Sequence, residues 1–218
     1  MVYKLNKSKY SAHEIALGLV DSKSKVLELG CNTGYLSREL KNRGCKVWGV
    51  DNNLAYLKEA KKYCEWVGQL DLDSSTNYRL IPKEKFDFIL LMDVLEHLKD
   101  ASDLLAYIAG NIKTRKIIIS IPNIANLSIR MDLLFGKFNY TELGLLDKTH
   151  VKLYTLASAK KLITSSGLKI ESINFTADLG LVNIFGRFLR KLPKDLQHFI
   201  TKIKPTLLAG QFIYVCTL

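Results

Sequence analysis

Residues able to bind a nucleoside follow two neighbouring apolar runs near the start of the chain. The first run ends in Glu28-Leu-Gly-Cys-Asn-Thr-Gly34, and a helix-length stretch begins directly after it. A glycine-rich turn of this kind lets backbone N–H groups at a helix N-terminus approach a ligand closely. The second run ends in Asp51, about 20 residues on, where a carboxylate can bind both hydroxyls of a ribose. The spacing therefore predicts a site for a ligand that carries a ribose.

Two further polar groups follow later apolar segments. Asp71-Leu-Asp73 comes after the third segment and Met92-Asp-Val-Leu-Glu-His97 after the fourth. In an open α/β sheet the ligand lies beyond the carboxyl ends of the strands, where the strand order reverses. We therefore expect all four groups to meet at one edge of a sheet.

Two histidines are candidates for acid–base chemistry. His97 either faces this pocket or forms a hydrogen bond inside the helix that follows the fourth strand. His150 ends the segment Leu146-Asp-Lys-Thr-His150, and Asp147, three residues earlier, can orient it as a general base. The alternative is a loop histidine whose ring is satisfied by backbone groups. We favour the general base as the working hypothesis.

The elements that must position these residues alternate between strand and helix. Near-continuous apolar runs over 25–30, 45–51, 86–91 and 116–121 are typical of strands buried on both faces, and 65–69 is a weaker strand. Helix-length stretches over 35–43, 53–63 and 101–111 lie between them, and Ser11 begins an N-terminal helix with a capping box. This alternation predicts a doubly wound α/β sheet.

The second half of the chain breaks this rhythm twice. A helix over 155–165 that ends near Gly167, a strand over 168–175 and a last strand over 211–217 continue the sheet. Residues 122–153 contain no clear strand, and residues 176–208 form a basic amphipathic stretch. We interpret these two ranges as insertions, and expect Phe135, Phe138, Tyr140 and Tyr154 to form the core of the first one; the alternative is a substrate cage.

The composition is that of an ordinary globular chain. Its 218 residues are 48% apolar and 24% charged, which excludes a disordered or fibrous protein and predicts one domain over residues 1–218. The four cysteines form no C-x-x-C pair, so we expect free thiols in a reducing compartment and no metal site. No apolar run reaches the about 18 residues of a membrane span, and no signal peptide is recognised. We expect a cytoplasmic protein.

Positive charge favours acidic partners without choosing among them. The 32 Lys and Arg against 21 Asp and Glu give a net charge of +11, spread along the chain. In the stretch 176–208 an apolar stripe recurs at helical spacing over Leu181–Leu192, among six basic and two acidic residues. The stripe either packs on the core with a solvated basic rim or lies on a membrane surface near a lipid-linked acceptor.

The spacing E-x-G-x-x-x-G of Glu28, Gly30 and Gly34 resembles the first motif of class I S-adenosylmethionine-dependent methyltransferases. A nicotinamide-binding turn needs G-x-G-x-x-G, which is absent here. Asn32 replaces the middle glycine of the family, and asparagine tolerates positive φ better than other non-glycine residues. Leu95-Glu-His-Leu98 is typical of the subgroup related to ubiquinone-biosynthesis methyltransferases. Segments over 121–150 and 205–215 resemble methyltransferases encoded with cell-surface polysaccharide enzymes.

This resemblance implies a Rossmann-like methyltransferase fold, with a mostly parallel seven-stranded sheet, an antiparallel last strand, and S-adenosylmethionine as cofactor. The cofactor-binding residues that it implies are Glu28, Gly30, Cys31, Gly34, Asp51, Asn52, Asp71, Leu72, Met92 and Asp93. Residues of the first turn would hold the methionine end, the next two the ribose, the following two the adenine, and the last two the sulfonium arm.

The resulting hypothesis is methyl transfer to a small-molecule or saccharide-like acceptor, on oxygen. Its catalytic residues are His150, Asp147 and His97, and the insertion 122–153 is the lid that recognises the acceptor. Alternatives are a quinone-type acceptor, RNA, or a methyltransferase-like binding module that performs no chemistry. Nucleic acid is disfavoured, since the chain lacks an appended RNA-binding module and an Asn-Pro-Pro-Tyr-type motif. Peripheral membrane contact stays open, and the sequence leaves the oligomeric state undetermined.

Overall fold

Seven strands form one sheet in the computed structural model, which describes residues 5–177 and 191–218. The strands are β1 (Lys25–Leu29), β2 (Lys46–Asp51), β3 (Trp66–Gln69), β4 (Phe86–Met92), β5 (Thr114–Pro122), β6 (Lys169–Phe175) and β7 (Gln211–Thr217). Their order across the sheet is β3-β2-β1-β4-β5-β7-β6, and β7 runs antiparallel to both of its neighbours while β1 to β5 are parallel. The predicted doubly wound, mostly parallel sheet with an antiparallel last strand is confirmed.

Helices cover the sheet and connect its strands. They are α1 (Ala12–Leu19), α2 (Tyr35–Asn42), α3 (Leu54–Ala60), α4 (Ala101–Asn111), α5 (Leu127–Leu134), α6 (Leu156–Ser165), α7 (Lys194–Ile203) and α8 (Pro205–Leu208). The side chain of Ser11 accepts a hydrogen bond from the Glu14 amide at the start of α1, as the sequence predicts. Among the described helices, none is long and apolar enough to cross a membrane.

The near-continuous apolar runs arise because both faces of the sheet are buried. In β4, Ile89 and Leu91 point to the face covered by α4 and α6, whereas Phe88 and Leu90 point to the face covered by α1 and α2. A strand covered on both faces needs apolar side chains at every position, so no polar alternation develops.

The insertion 122–153 differs from its prediction in two ways. It contains α5, whose first turn is capped by the side chain of Asn126 accepting from the Ser128 amide. The expected aromatic core is wrong for three of four residues: Phe135, Phe138 and Tyr140 are exposed, and only Tyr154 is buried. Residues 178–190 lie outside the described residues, and with them most of the apolar stripe expected over Leu181–Leu192.

Candidate active site

A cavity of about 820 Å³ opens at the carboxyl ends of the parallel strands. β1 pairs with both β2 and β4, so the strand order reverses at β1 and leaves a crevice there. Its wall combines the loops after β1 to β4 with an N-terminal segment and residues 144–150. The four polar groups that the sequence predicts to meet do meet at this edge.

The turn after β1 has the backbone that its sequence requires. Gly30, Asn32 and Gly34 have φ of +80°, +49° and +73°, so Asn32 adopts the expected left-handed conformation. A Cβ at Gly30 would lie 2.6 Å from a methyl carbon of Val94, which leaves room for glycine alone. Gly30 and Asn32 line the cavity with backbone and a short polar side chain.

Glu28, Cys31 and Gly34 support this turn from behind. A carboxyl oxygen of Glu28 accepts a hydrogen bond from the Ser37 hydroxyl, and burial raises the pKa of Glu28 to about 8. The Cys31 side chain is fully buried against Leu57 and Ala60, and burial raises the pKa of its thiol. These positions fix the shape of the cavity wall.

Asp51 holds the turn and the next helix together. Its Oδ2 accepts a hydrogen bond from the Asn32 amide at 2.8 Å, and its Oδ1 accepts one from the Asn53 amide at 2.9 Å. Asn53, rather than Asp51, is the N-cap of α3. A carboxylate has about four lone-pair sites, so Asp51 keeps acceptor capacity for ligand hydroxyls.

The remaining predicted cofactor residues lie along the same wall. Asn52 and Asp71 are exposed to the cavity, and Leu72 is a buried apolar part of its lining. Asp93, at φ +55°, accepts hydrogen bonds from the Ser120 hydroxyl at 2.6 Å and from the Gln211 side chain at 2.9 Å. The parallel strand β5 and the antiparallel strand β7 thus both hold the loop after β4 in place.

His97 and His150 come together at another part of the cavity, with ring centroids 4.9 Å apart. Nδ1 of His97 lies 3.1 Å from the Thr149 carbonyl oxygen, and Nδ1 of His150 lies 3.3 Å from the Leu145 carbonyl oxygen. Burial lowers the pKa of His150, with a smaller contribution from His97 in the same direction. Both histidines thus face the pocket, and each ring also has a backbone partner.

Asp147 is buried and bound to Thr149. Its Oδ1 accepts hydrogen bonds from the amide and the hydroxyl of Thr149, at 2.8 Å and 2.6 Å. The Thr149 oxygen lies 3.2 Å from Nδ1 of His97, so these hydrogen bonds connect Asp147 to His97. Asp147 also raises the pKa of His150 through its charge, against the larger effect of burial.

Glu96 is a wall residue to which sequence reasoning gave no role. It is 1% exposed, and burial raises the pKa of its carboxyl well above the usual range. The sequence feature that could have pointed to Glu96 is its position in the segment Leu95-Glu-His-Leu98. Tyr10, His13 and Gln211 also line the cavity, and no motif pointed to them.

The residues present fit the expected cofactor. A glycine-rich backbone, a carboxylate with spare acceptor sites and apolar patches at Leu70, Leu72 and Leu98 share one cavity. These are the features that a methionine end, a ribose and an adenine ring require.

Comparisons with known proteins agree with this geometry. A family model described as "Methyltransferase domain" matches residues 7–173, which is 167 of 218 residues. A "Ubiquinone biosynthesis O-methyltransferase" of Bradyrhizobium sp. (strain ORS 278) is 32% identical over 91 residues, 41% of this chain and 36% of that protein. The enzyme of the same name from Psychrobacter cryohalolentis is 36% identical over 84 residues, 35% of this chain and 32% of that protein. The alignments thus span about a third of the length of these relatives.

Solved structures share the fold at low sequence identity. A SAM-dependent methyltransferase from Archaeoglobus fulgidus has a TM-score of 0.63 at 19% identity, with 94% of each chain covered. Magnesium protoporphyrin IX methyltransferase from Synechocystis, solved with bound SAH, has a TM-score of 0.57 at 19% identity, covering 93% of this chain and 77% of that one. With the family match spanning more than half of the sequence, the chain belongs to the methyltransferase-domain family, in the class I group that uses S-adenosylmethionine and includes the ubiquinone methyltransferases.

Proposed function

We propose that this protein transfers the methyl group of S-adenosylmethionine to a hydroxyl oxygen of a small-molecule acceptor. The observation that carries the proposal is the continuity of one cavity, whose lining includes both the glycine-rich turn and the His97–His150 pair. Its volume falls within the about 300–1,000 Å³ usual for small-molecule sites. Cofactor and acceptor can therefore share a single cavity.

The cofactor part of the cavity is assigned residue by residue. Gly30 and the Asn32 backbone hold the methionine end, supported from behind by Glu28, Cys31 and Gly34. Asp51 binds the ribose hydroxyls with Asn52 beside it, Asp71 and Leu72 border the adenine, and Met92 and Asp93 lie near the reactive arm. The hydrogen bonds of Asp51 and Asp93 support these roles, because both carboxylates are fixed by backbone or side-chain donors.

The acceptor part of the cavity must orient the acceptor molecule and take up the proton of its hydroxyl. When bound, the cofactor supplies an activated methyl group, so the protein chiefly positions the acceptor and excludes water. His150 donates Nδ1–H to the Leu145 carbonyl, which leaves the Nε2 lone pair to accept the proton of a hydroxyl. His97 and Asp147, connected through Thr149, hold the adjoining wall. The insertion 122–153 covers the acceptor.

Two chemical classes of acceptor fit the proposal. Relatives named for ubiquinone biosynthesis favour phenols with a free hydroxyl, and the resemblance of the insertion favours saccharides. Both classes offer a hydroxyl of low acidity, which gains from deprotonation during attack.

The experiment is a methyl-transfer screen with radiolabelled S-adenosylmethionine. The panel contains catechol-type phenols, nucleotide sugars and lipid-linked saccharides, with matched acceptors in which the hydroxyl is a methoxy group or an amine. We expect transfer to at least one hydroxyl acceptor and none to its methoxy partner. Asp51→Ala should weaken cofactor binding by about 1–3 kcal/mol, while the exposed Asp103→Asn should leave it unchanged. Transfer to amines only would overturn the assignment to oxygen.

A further inference from the structure

The segment that precedes α1 forms one side of the cavity wall. Within residues 6–11, which we call the strap, Lys7 forms an ion pair with Glu39 of α2, at 3.1 Å. The other five residues of the strap line the cavity; they are Asn6, Ser8, Lys9, Tyr10 and Ser11. The strap is thus a length of cavity wall that is attached to α2 at one end.

Two side chains attach the other end of the strap to α7. Nζ of Lys9 and the hydroxyl oxygen of Tyr10 each lie 2.6 Å from Oδ1 of Asp195, in the first turn of α7. The ring of His198 stacks on the ring of Tyr10, with centroids 4.0 Å apart and planes 3° apart. We call these contacts the latch. They join parts of the chain that are at least 185 residues apart in the sequence.

The backbone of Tyr10 contacts the sheet as well. Its carbonyl oxygen accepts a hydrogen bond from the amide of Ala177, at 3.2 Å, just beyond the end of β6. Ala177 is 2% exposed, so water cannot replace this acceptor while the strap is in place. Exchange of the Ala177 amide with water therefore reports on movement of the strap.

The strap also lies beside the glycine-rich turn after β1. The amide of Asn6 donates to Nδ1 of His13 at 3.1 Å, and the His13 ring packs edge-on against Tyr35, with centroids 5.2 Å apart. Tyr35 is the first residue of α2 and directly follows Gly34. Because the strap, Gly30 and Asn32 line the same cavity, a cofactor bound at the turn lies next to the strap.

Tyr10 has a backbone conformation that opposes the latch. Its φ is +63°, in the left-handed region that a bulky side chain rarely adopts, because Cβ crowds the following carbonyl oxygen. Such a conformation persists only where surrounding contacts hold it, and it is concentrated at functional sites. Loss of the latch would release this strain, so the strap is poised between a closed and an open position.

We infer that the strap is a gate for the cofactor, which opens at the latch to exchange S-adenosylhomocysteine for S-adenosylmethionine and closes before methyl transfer. Closure excludes water from the reacting atoms, and opening is the step that release of the spent cofactor requires. The side chains of Lys9 and Asp195 are 60% and 66% exposed, and an exposed ion pair contributes little. The hydroxyl of Tyr10 and the ring stacking are therefore the contacts that hold the gate.

Tyr10→Phe tests the gate without any acceptor. It keeps the ring on His198 and removes the hydrogen bond to Asp195. A hydrogen bond to a charged group stabilises enough for the open population to rise about 10–100-fold when it is lost. The association and dissociation rate constants of the cofactor should therefore rise together, by about 10-fold or more, with a much smaller change in Kd. Rapid mixing with radiolabelled S-adenosylmethionine, followed by a chase of unlabelled S-adenosylhomocysteine, measures both.

Matched variants separate the latch from general effects on the fold. Tyr107→Phe removes a buried hydroxyl that has no hydrogen-bond partner within the described residues and is not part of the lining, so both rates should equal those of the parent. Asp195→Asn should raise both rates, and combining it with Tyr10→Phe should add little, because the two changes act on one hydrogen bond. Lys9→Gln should change the rates by less than about fivefold.

The stacking and the backbone contact have their own readouts. His198→Ala should raise both rates, whereas His198→Phe keeps an aromatic ring on Tyr10 and should not. In the parent, S-adenosylhomocysteine should slow hydrogen exchange over 6–11 and at the Ala177 amide. In Tyr10→Phe without ligand, the Ala177 amide should exchange faster than in the parent.

Two results would overturn the gate. Unchanged rate constants in Tyr10→Phe and His198→Ala would mean that the strap does not control access to the cavity. A rise in the dissociation rate constant alone would make Tyr10 a contact of the bound cofactor rather than part of a gate. Neither result depends on the acceptor, so failure of the proposed function leaves this test decisive.

Discussion

At the residue scale, His150 is the side chain to which the proposed function assigns the proton of the acceptor hydroxyl. His150→Ala should lower turnover about 10²–10⁴-fold, because the ring is the group that accepts the proton of the acceptor hydroxyl. Cofactor affinity should remain, because Asp51 and the turn after β1 are untouched. Initial rates and calorimetry measure the two quantities separately. His198→Phe is the control, since it keeps the stacking on Tyr10 while removing an imidazole elsewhere. Parent turnover in His150→Ala would return His150 to a structural role.

Glu28 makes stability depend on pH in an unusual direction for a carboxyl. Burial raises its pKa to about 8, so the folded state holds this proton where the unfolded chain releases it near pH 4.5. Its stabilising contribution is complete below the unfolded pKa and is lost as pH rises towards 8. Glu28→Gln keeps an acceptor for Ser37 but no charge.

We therefore expect Glu28→Gln to raise Tm at pH 8 and to have little effect near pH 4. A gain of about 1 kcal/mol corresponds to about 2–4 °C for a chain of this size. Thermal unfolding of both proteins between pH 4 and 9 makes the comparison. An identical Tm difference at every pH would contradict a buried, protonated Glu28.

At the element scale, the turn between β1 and α2 depends on Gly34. Its φ is +73°, and an added Cβ would lie 2.8 Å from the backbone of Ala60 in α3. Gly34→Ala should cost about 2–5 kcal/mol, from about 1–2 for the left-handed backbone and about 1–3 for overpacking. Urea unfolding measures the change.

Gly18 provides the matched substitution. It lies inside α1 with no atom within 4 Å of an added Cβ, so Gly18→Ala should gain about 0.5–1 kcal/mol. If Gly34→Ala and Gly18→Ala change the free energy of unfolding by the same amount, neither the left-handed backbone nor the close approach of Ala60 explains the need for glycine at position 34.

The sequence predicts elements that carry a local signal, such as a helix cap or a continuous apolar run. It does not predict features that depend on tertiary contacts. Helix α1 has its serine cap and the buried strands have continuous apolar runs, so sequence alone defines them. Helix α5 was missed because its apolar residues do not lie along one face; Leu127, Ile129, Leu133 and Leu134 surround it. The aromatic residues after it looked like core, but within the described part of the chain Phe135, Phe138 and Tyr140 are exposed.

The cofactor side was predictable for a similar reason, and the place of Glu96 in the cavity wall was not. Asp51 and the glycine turn are marked by spacing along one short segment. Glu96 lies beside a distant loop, because its carbonyl oxygen accepts hydrogen bonds from the amides of Val151 and Lys152. Burial and pairing of a carboxyl are properties of the fold that adjacent residues in the sequence do not reveal.

At the scale of the whole molecule, the net charge of the protein is positive, whereas the residues that line the cavity carry mostly acidic groups. The chain carries +11, yet the described lining of the cavity contains six carboxyl groups against two lysines. The carboxyl groups are Asp51, Asp71, Asp73, Asp93, Glu96 and Asp147, and the lysines are Lys9 and Lys194. Net charge indicates acidic partners for the surface. The lining instead suits a sulfonium cation.

The insertion leaves several large apolar side chains exposed to water. Those at least 40% exposed include Leu133, Leu134, Phe135, Phe138, Tyr140 and Leu143. Covering exposed apolar surface gains about 25 cal/mol per Å², so contact with these side chains would favour an occupant. Because residues 144–150 follow them in the sequence and line the cavity, the acceptor is the occupant that the lid hypothesis requires.

Hydrogen exchange tests whether this insertion is the acceptor's lid. S-adenosylhomocysteine alone should slow exchange over 30–34, 51–56 and 71–74, the segments that contribute residues to the cofactor part of the cavity, and leave 133–143 unchanged. Adding the acceptor identified by the screen should then slow exchange over 133–143, because apolar contact excludes water and restricts opening of the backbone. Helix α6, whose residues are not among those that line the cavity, is the internal control and should not respond to either ligand. Protection of 133–143 by S-adenosylhomocysteine alone, or none with the acceptor, would assign acceptor recognition to another part of the molecule.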